Sequence, residues 1–152
     1  NATAGNAGSV IIATLEGSRP LLVEVQALTV ATQLPVPRRV GNGINNNRLQ
    51  MLVAILQKHL RLPLGQFDIF VNVASGLKVF EPAADLGICL AIVSSFKNKP
   101  LAGKTVAIGE VGLLGEIRNV IGLERRIKEA KKLGFKNIIS PKDYTHISRI
   151  TF

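Results

Sequence analysis

Residues 83–96 (AADLGICLAIVSSF) are almost wholly apolar, and Glu81-Pro82 stands immediately before them. Pro82 suits the first turn of a helix, where its missing N–H leaves no hydrogen bond unmade. A helix apolar on every side cannot lie on a surface, so it belongs at the centre of a domain with other elements around it. Its densest part, residues 86–96, is too short to span a bilayer and has no signal-peptide architecture. With 152 residues, 47% of them apolar and 19% charged, the chain has material for one such core. That balance excludes a disordered tail or a coiled coil. Trp is absent and aromatics are 5%, so the core is expected from Ile, Leu, Val and Ala.

The rest of the chain supplies what surrounds the central helix. Residues 1–8 (NATAGNAG) read as a linker or frayed end, leaving 9–152 as the domain. Residues 9–16 and 21–34 are β-branched runs separated by Gly17-Ser18-Arg19-Pro20, a hairpin signal. Pro35, Pro37, Gly41, Gly43 and three Asn residues predict an irregular loop. From Arg48 the period becomes helical, with Leu49, Leu52, Val53, Leu56 and Leu60 on one face. Residues 67–73 alternate as a half-buried strand, and 104–111 form another. A third helix is expected over 120–133, with Leu123, Ile127 and Ala130 inward and Gly134 as its cap, before a last strand at 137–140. The order β-β-α-β-α-β-α-β is α/β or α+β with crossover helices.

Nineteen Lys and Arg against ten Asp and Glu give a net charge of +9, unevenly placed. Residues 38–65 carry Arg38, Arg39, Arg48, Lys58 and Arg61 with no acid, and residues 97–152 hold twelve bases against five acids. Two basic blocks flanking an apolar centre point to a polyanionic partner. Arginine dominates the first block and is the better bidentate phosphate ligand. For Lys128, Lys131 and Lys132 a plain solubility surface explains the charge equally well.

Other chemistry is sparse. No G-x-x-x-x-G-K-[ST] occurs, so this chain carries no P-loop of its own. Cys89 is the sole cysteine, which excludes an intramolecular disulfide and a Cys-based zinc site and fits a cytoplasmic setting. It reads as a small buried hydrophobe. His59 and His146 have no metal-ligand spacing around them. Glu81 and Asp85, four apart at a helix start, suit the macrodipole without catalysis. Ser75 and Ser94-Ser95 have no base at a recognisable spacing. The residues alone single out no active site.

Five stretches, taken together, resemble one family: residues 16–28 (EGSRPLLVEVQAL), 34–39 (LPVPRR), 45–57 (NNNRLQMLVAILQ), 81–95 (EPAADLGICLAIVSS) and 109–120 (GEVGLLGEIRNV). They look like the C-terminal domain of the RadA (Sms) family of bacterial DNA repair proteins. That domain is related to the proteolytic domain of Lon, with the ribosomal-protein-S5 domain-2-like fold. The chain, beginning at Asn1, is then expected to be a piece of a longer one. Lon peptidases carry a nucleophilic Ser in G-P-S-A-G and an activating Lys in G-G-L-K-E-K. Here those motifs match residues 81–85 and 121–126, so Ala83 stands at the serine position and Arg126 at the lysine position. Alanine has no nucleophile, and arginine stays protonated and cannot act as a base.

The resemblance implies a DNA-dependent ATPase that assists RecA recombinase in strand exchange and branch migration, built as a hexameric ring. Zinc and ATP with magnesium would belong to N-terminal domains outside this chain, and no cofactor is expected in it. On this reading the chain is a non-proteolytic domain that binds single-stranded or branched DNA through Arg38, Arg39 and Arg48, with Arg118, Arg125 and Arg126 as a second group. Self-association is expected through the nearly neutral hairpin of residues 9–34. The rival is a ring-forming scaffold without DNA contact, in which Arg126 fills the vacated dyad pocket by pairing with an acid such as Asp85.

Overall fold

The computed structural model of this chain describes residues 5–103 and 105–151. In chain order the elements are β1 (Ser9–Glu16), β2 (Arg19–Ala31), β3 (Arg39–Asn42), α1 (Asn46–His59), β4 (Phe67–Val73), α2 (Asp85–Lys97), β5 (Thr105–Ala107), β6 (Glu110–Val111), β7 (Ile117–Arg118), α3 (Leu123–Lys132) and β8 (Asn137–Ile139). Six strands form one mixed sheet in the order β3-β4-β2-β1-β5-β8. The β1–β2 and β2–β4 pairs are antiparallel, and β3–β4, β1–β5 and β5–β8 are parallel. β6 and β7 make a separate short hairpin. This is the α/β class expected.

Alternation along the strands divides the core into two layers. Val10 and Ile12 of β1, Val23 and Val25 of β2, and Ile69, Val71 and Val73 of β4 pack against α1 and α2. Ala13 of β1 points the other way, onto Leu123, Ile127 and Ala130 of α3. The sheet is therefore sandwiched by two helices on one side and one on the other. As its composition requires, α2 is buried from Asp85 through Ser94. Gly87 lets it approach: a Cβ there would lie 2.2 Å from Ile12 Cγ2. α1 begins where the Asn45 side chain accepts the Arg48 N–H at 3.0 Å, a local N-cap.

Several sequence expectations need correction. The Pro- and Gly-rich stretch after residue 34 contains β3, a four-residue edge strand paired with β4. Short edge strands tolerate such composition because only one side must be hydrogen-bonded. The strand expected over 104–111 is two strands, β5 and β6; its first residue, Lys104, lies outside the described residues. α2 is entered through a single 3-10 turn, Pro82–Ala84. α3 starts at Leu123, because Gly122 takes a left-handed conformation (φ 73°) and ends the preceding turn. Its other end is as expected, with Gly134 N–H bonded to Lys131 O at 3.0 Å. Within the terminal segment 1–8, Gly8 is buried and its N–H donates to Ser94 Oγ at 2.8 Å.

Candidate functional site

The two positions matched to the Lon dyad lie beside one network. Ala83 is buried in the turn that opens α2. Arg126, on the first turns of α3, is 1% exposed. Its guanidinium donates to Glu81 Oε1 at 2.6 Å, to Ala13 O of β1 at 2.6 Å and to Ile121 O at 3.0 Å. Glu81 Oε2 in turn accepts from Thr14 Oγ1 at 2.6 Å and from the Leu15 N–H at 2.8 Å. One ion pair thus ties α3, β1 and the head of α2 together. Burial pushes the Glu81 carboxyl up, yet the donors from Arg126, Thr14 and Leu15 outweigh it and hold the carboxyl below its ordinary range. Arg126 therefore pairs with an acid, as the alternative supposed, and that acid is Glu81 where the alternative had offered Asp85 as its example.

Asp85 belongs to a second pair. Arg48 of α1 reaches it with Nε to Oδ1 at 3.0 Å and with Nη2 to Oδ2. The same two groups cap Val111 of β6: Asp85 Oδ2 accepts its N–H at 3.1 Å, and Arg48 Nη2 donates to its carbonyl at 3.0 Å. Burial is the larger influence on Asp85 and raises its carboxyl above the ordinary range. Along this outer edge, Gly109 is bonded to the backbone of Ala83 and Leu86, and Leu113 O accepts from His59 Nε2 at 2.9 Å. Backbone groups at 109, 111 and 113 are thus engaged from within the domain.

A cleft of about 420 Å³ lies over this pair, lined by Ile44, Met51, Val79, Phe80 and Ile88 with Glu81 and Glu110 at its polar side. Neither Ala83 nor Arg126 lines it. Ser94 is buried, accepting from Gly8 and donating to Lys99 O at 2.6 Å.

Arg38 and Arg39 do not both project from the loop. Arg38 Nη2 meets Asp68 Oδ2 at 2.7 Å while its backbone N–H reaches Oδ1 at 2.7 Å, and its guanidinium lies 5.6 Å from the Phe70 ring centroid. The absence of a nearby acid in sequence is met by one thirty positions away. Those hydrogen bonds hold the Asp68 carboxyl below its ordinary range. The Arg39 guanidinium donates to Phe67 O and, at 2.9 Å, to Leu64 O. The side chains of Arg38 and Arg118 remain 59% exposed, the latter with its Nε 3.5 Å from Glu116, and Arg125 is exposed on α3. Arg118 ends β7 and Arg125 lies on the first turn of α3, whereas Arg38 immediately precedes the edge strand β3.

Sequence reasoning missed Asp68 and Glu81 as partners. The signal was present: Asp68 and Asp85 sit inside apolar runs, and a buried carboxylate requires a paired donor. It also missed the His59–His146 contact, with ring centroids 5.4 Å apart and both Nε2 atoms on carbonyls of the β6–β7 turn. Among the described residues no group of three or more His, Cys, Asp or Glu is placed to share a metal ion, and no helix is long and apolar enough to cross a membrane.

The class of domain is a mixed α/β sandwich with a buried arginine on α3 paired to the turn that opens α2. The family model described as subunit ChlI of Mg-chelatase matches residues 24–144, and the chain belongs to that family. Curated proteins similar to it are named DNA repair protein RadA. The protein from Bacillus subtilis is 50% identical over 139 residues, covering 91% of this chain and 30% of that protein. The one from Pseudomonas aeruginosa is 51% identical over 134 residues, or 88% and 30%, and that from Halalkalibacterium halodurans is 47% identical over 139 residues, or 91% and 30%. The chain spans about 30% of the length of these relatives. The resemblance carried by the five stretches is thus one of homology.

Proposed function

We propose that this chain is a non-proteolytic Lon-like domain of a RadA-type DNA repair protein, giving it DNA contact and self-association. The observation that carries the reading is the buried Arg126–Glu81 pair beside Ala83. A permanently protonated guanidinium stands where a base would be needed, and no hydroxyl stands where a nucleophile would be. What such a scaffold offers is surface, and its net charge of +9 favours a polyanion. The exposed guanidinium groups of Arg118 and Arg125, with Arg38 at the far edge, are the DNA-contacting candidates; Arg39, Arg48 and Arg126 serve the fold. The ATP-driven, RecA-assisting activity, the zinc site, the hexameric ring and the cytoplasmic setting belong to this proposal for the longer protein.

A second reading, a scaffold without DNA contact, is favoured by the number of arginines engaged internally. The two separate by fluorescence anisotropy on single-stranded and branched DNA at low salt. Arg118→Glu with Arg125→Glu is expected to weaken binding at least tenfold in a folded chain. Unchanged affinity would favour the scaffold.

A further inference from the structure

α3 packs over β1, β5, β8 and Leu22 of β2, while the later part of β2, with β4 and β3, carries no helix on that side. The registers set three rows across this open strip of sheet. Val30 faces Asp68, to which Arg38 is bonded from just ahead of β3. Leu28, Phe70 and Val40 form the second row, and Gln26, Asn72 and Asn42 the third. A trough of about 480 Å³ runs along the second and third rows.

We propose that this strip binds single-stranded DNA through its bases, with Arg38 and Phe70 as the stacking platform. The two side chains are already layered, the guanidinium 5.6 Å from the ring centroid. Asp68 is 3% exposed and accepts from Nε and Nη2, so the carboxylate fixes the guanidinium while Arg38 itself stays open to solvent. Among the described residues Nη1 makes no hydrogen bond, which leaves its N–H groups for a phosphate oxygen. Bases stack on aromatic rings and on guanidinium planes alike. Leu28 and Val40, 55% and 44% exposed, widen the apolar floor on either side of the ring. The amides of the third row both donate and accept, as Asn42 Nδ2 does to Asn72 Oδ1 at 2.7 Å, and so suit the edge of any base. Glu24, next along β2 and bonded to Ser9 Oγ, closes the far end of the strip with a negative charge, so the phosphates keep to the Arg38 end. A duplex hides its bases in the stack, and the strip therefore selects the single strand.

This rests on the DNA contact in the reading above and adds where bases, as opposed to phosphates, are met. The test is fluorescence anisotropy of the chain on three probes of equal length: a single strand, the same strand made abasic, and a duplex. Phe70→Leu and, separately, Asn72→Asp are measured beside the parent. Phe70→Leu keeps an apolar side chain under Arg38. Asn72→Asp keeps the shape of an exposed side chain that still accepts from Asn42, so it carries the test if Phe70→Leu fails to fold. The parent is expected to bind the single strand roughly tenfold more tightly than the abasic strand, and each folded variant to lose about fivefold on the single strand with its duplex affinity retained. Equal affinity of the parent for the single and abasic strands, or single-strand affinity unchanged in the folded variants, would overturn this face while leaving DNA contact standing. A parent chain that binds none of the three probes would overturn both.

Discussion

The guanidinium of Arg126 and the carboxylate of Glu81 meet at 2.6 Å across forty-five positions of sequence. The contact is a clamp between α3, β1 and the turn that opens α2. Removing one partner leaves the other without compensation in a dry environment. Arg126→Met is expected to lower the unfolding free energy by about 3 kcal/mol, the low end for a broken buried pair because Glu81 is 27% exposed. Urea denaturation measures it. Arg126→Met with Glu81→Gln should cost less than the sum of the two single changes, since the pair acts as a unit.

Acid should loosen the fold in a way that individual carboxylates report. Glu81 and Asp68 titrate below their ordinary range when folded. The folded chain then binds fewer protons than the unfolded one, so their stabilisation is complete above the ordinary carboxylate range and disappears as pH falls through the lowered values. Asp85, raised by burial, runs the other way: its contribution declines as pH rises from the ordinary value to the raised one. In urea melts between about pH 3 and pH 6, Glu81→Gln should flatten the loss of stability on acidification, and Asp85→Asn should steepen it. Parallel curves for all three chains would show that these shifts do not govern stability.

Gly87 is a packing requirement of the central helix. A methyl group at this position would overlap Ile12, a β-branched side chain locked in the core. Gly87→Ala is expected to destabilise by about 1–3 kcal/mol, despite the better helix propensity of alanine. A gain in Tm would contradict the close approach of α2 to β1.

Peptidase chemistry should not return with the hydroxyl alone. Ala83→Ser restores a hydroxyl, but Arg126 remains protonated against Glu81 and takes no proton from it. Neither the parent chain nor Ala83→Ser is expected to be labelled by a serine-directed fluorophosphonate or to cleave casein. Stoichiometric labelling of either would show a base that the site lacks.

The elements that could be read from sequence were those whose side chains alternate or repeat without interruption. β1 and β4 begin and end where their patterns do, and the buried faces of α1 and α3 are the ones their spacing marks. β3 was hidden because its pairing depends on β4, some thirty positions away, and its own residues favour turns. The partners of Arg38, Arg48 and Arg126 were not legible, because each is a tertiary contact thirty or more positions distant. What sequence could offer was narrower: a carboxylate inside an apolar run needs a cation, and each of Asp68 and Asp85 found one.

The central claim is that a scaffold without peptidase chemistry uses its exposed positive charge to hold DNA. It is tested most directly by titrating the chain with duplex and single-stranded DNA over a series of salt concentrations. If about three to six phosphates are neutralised, log K should fall against log salt with a slope of roughly −3 to −5, whatever the sequence. No measurable binding at low salt, or binding indifferent to salt, would contradict it.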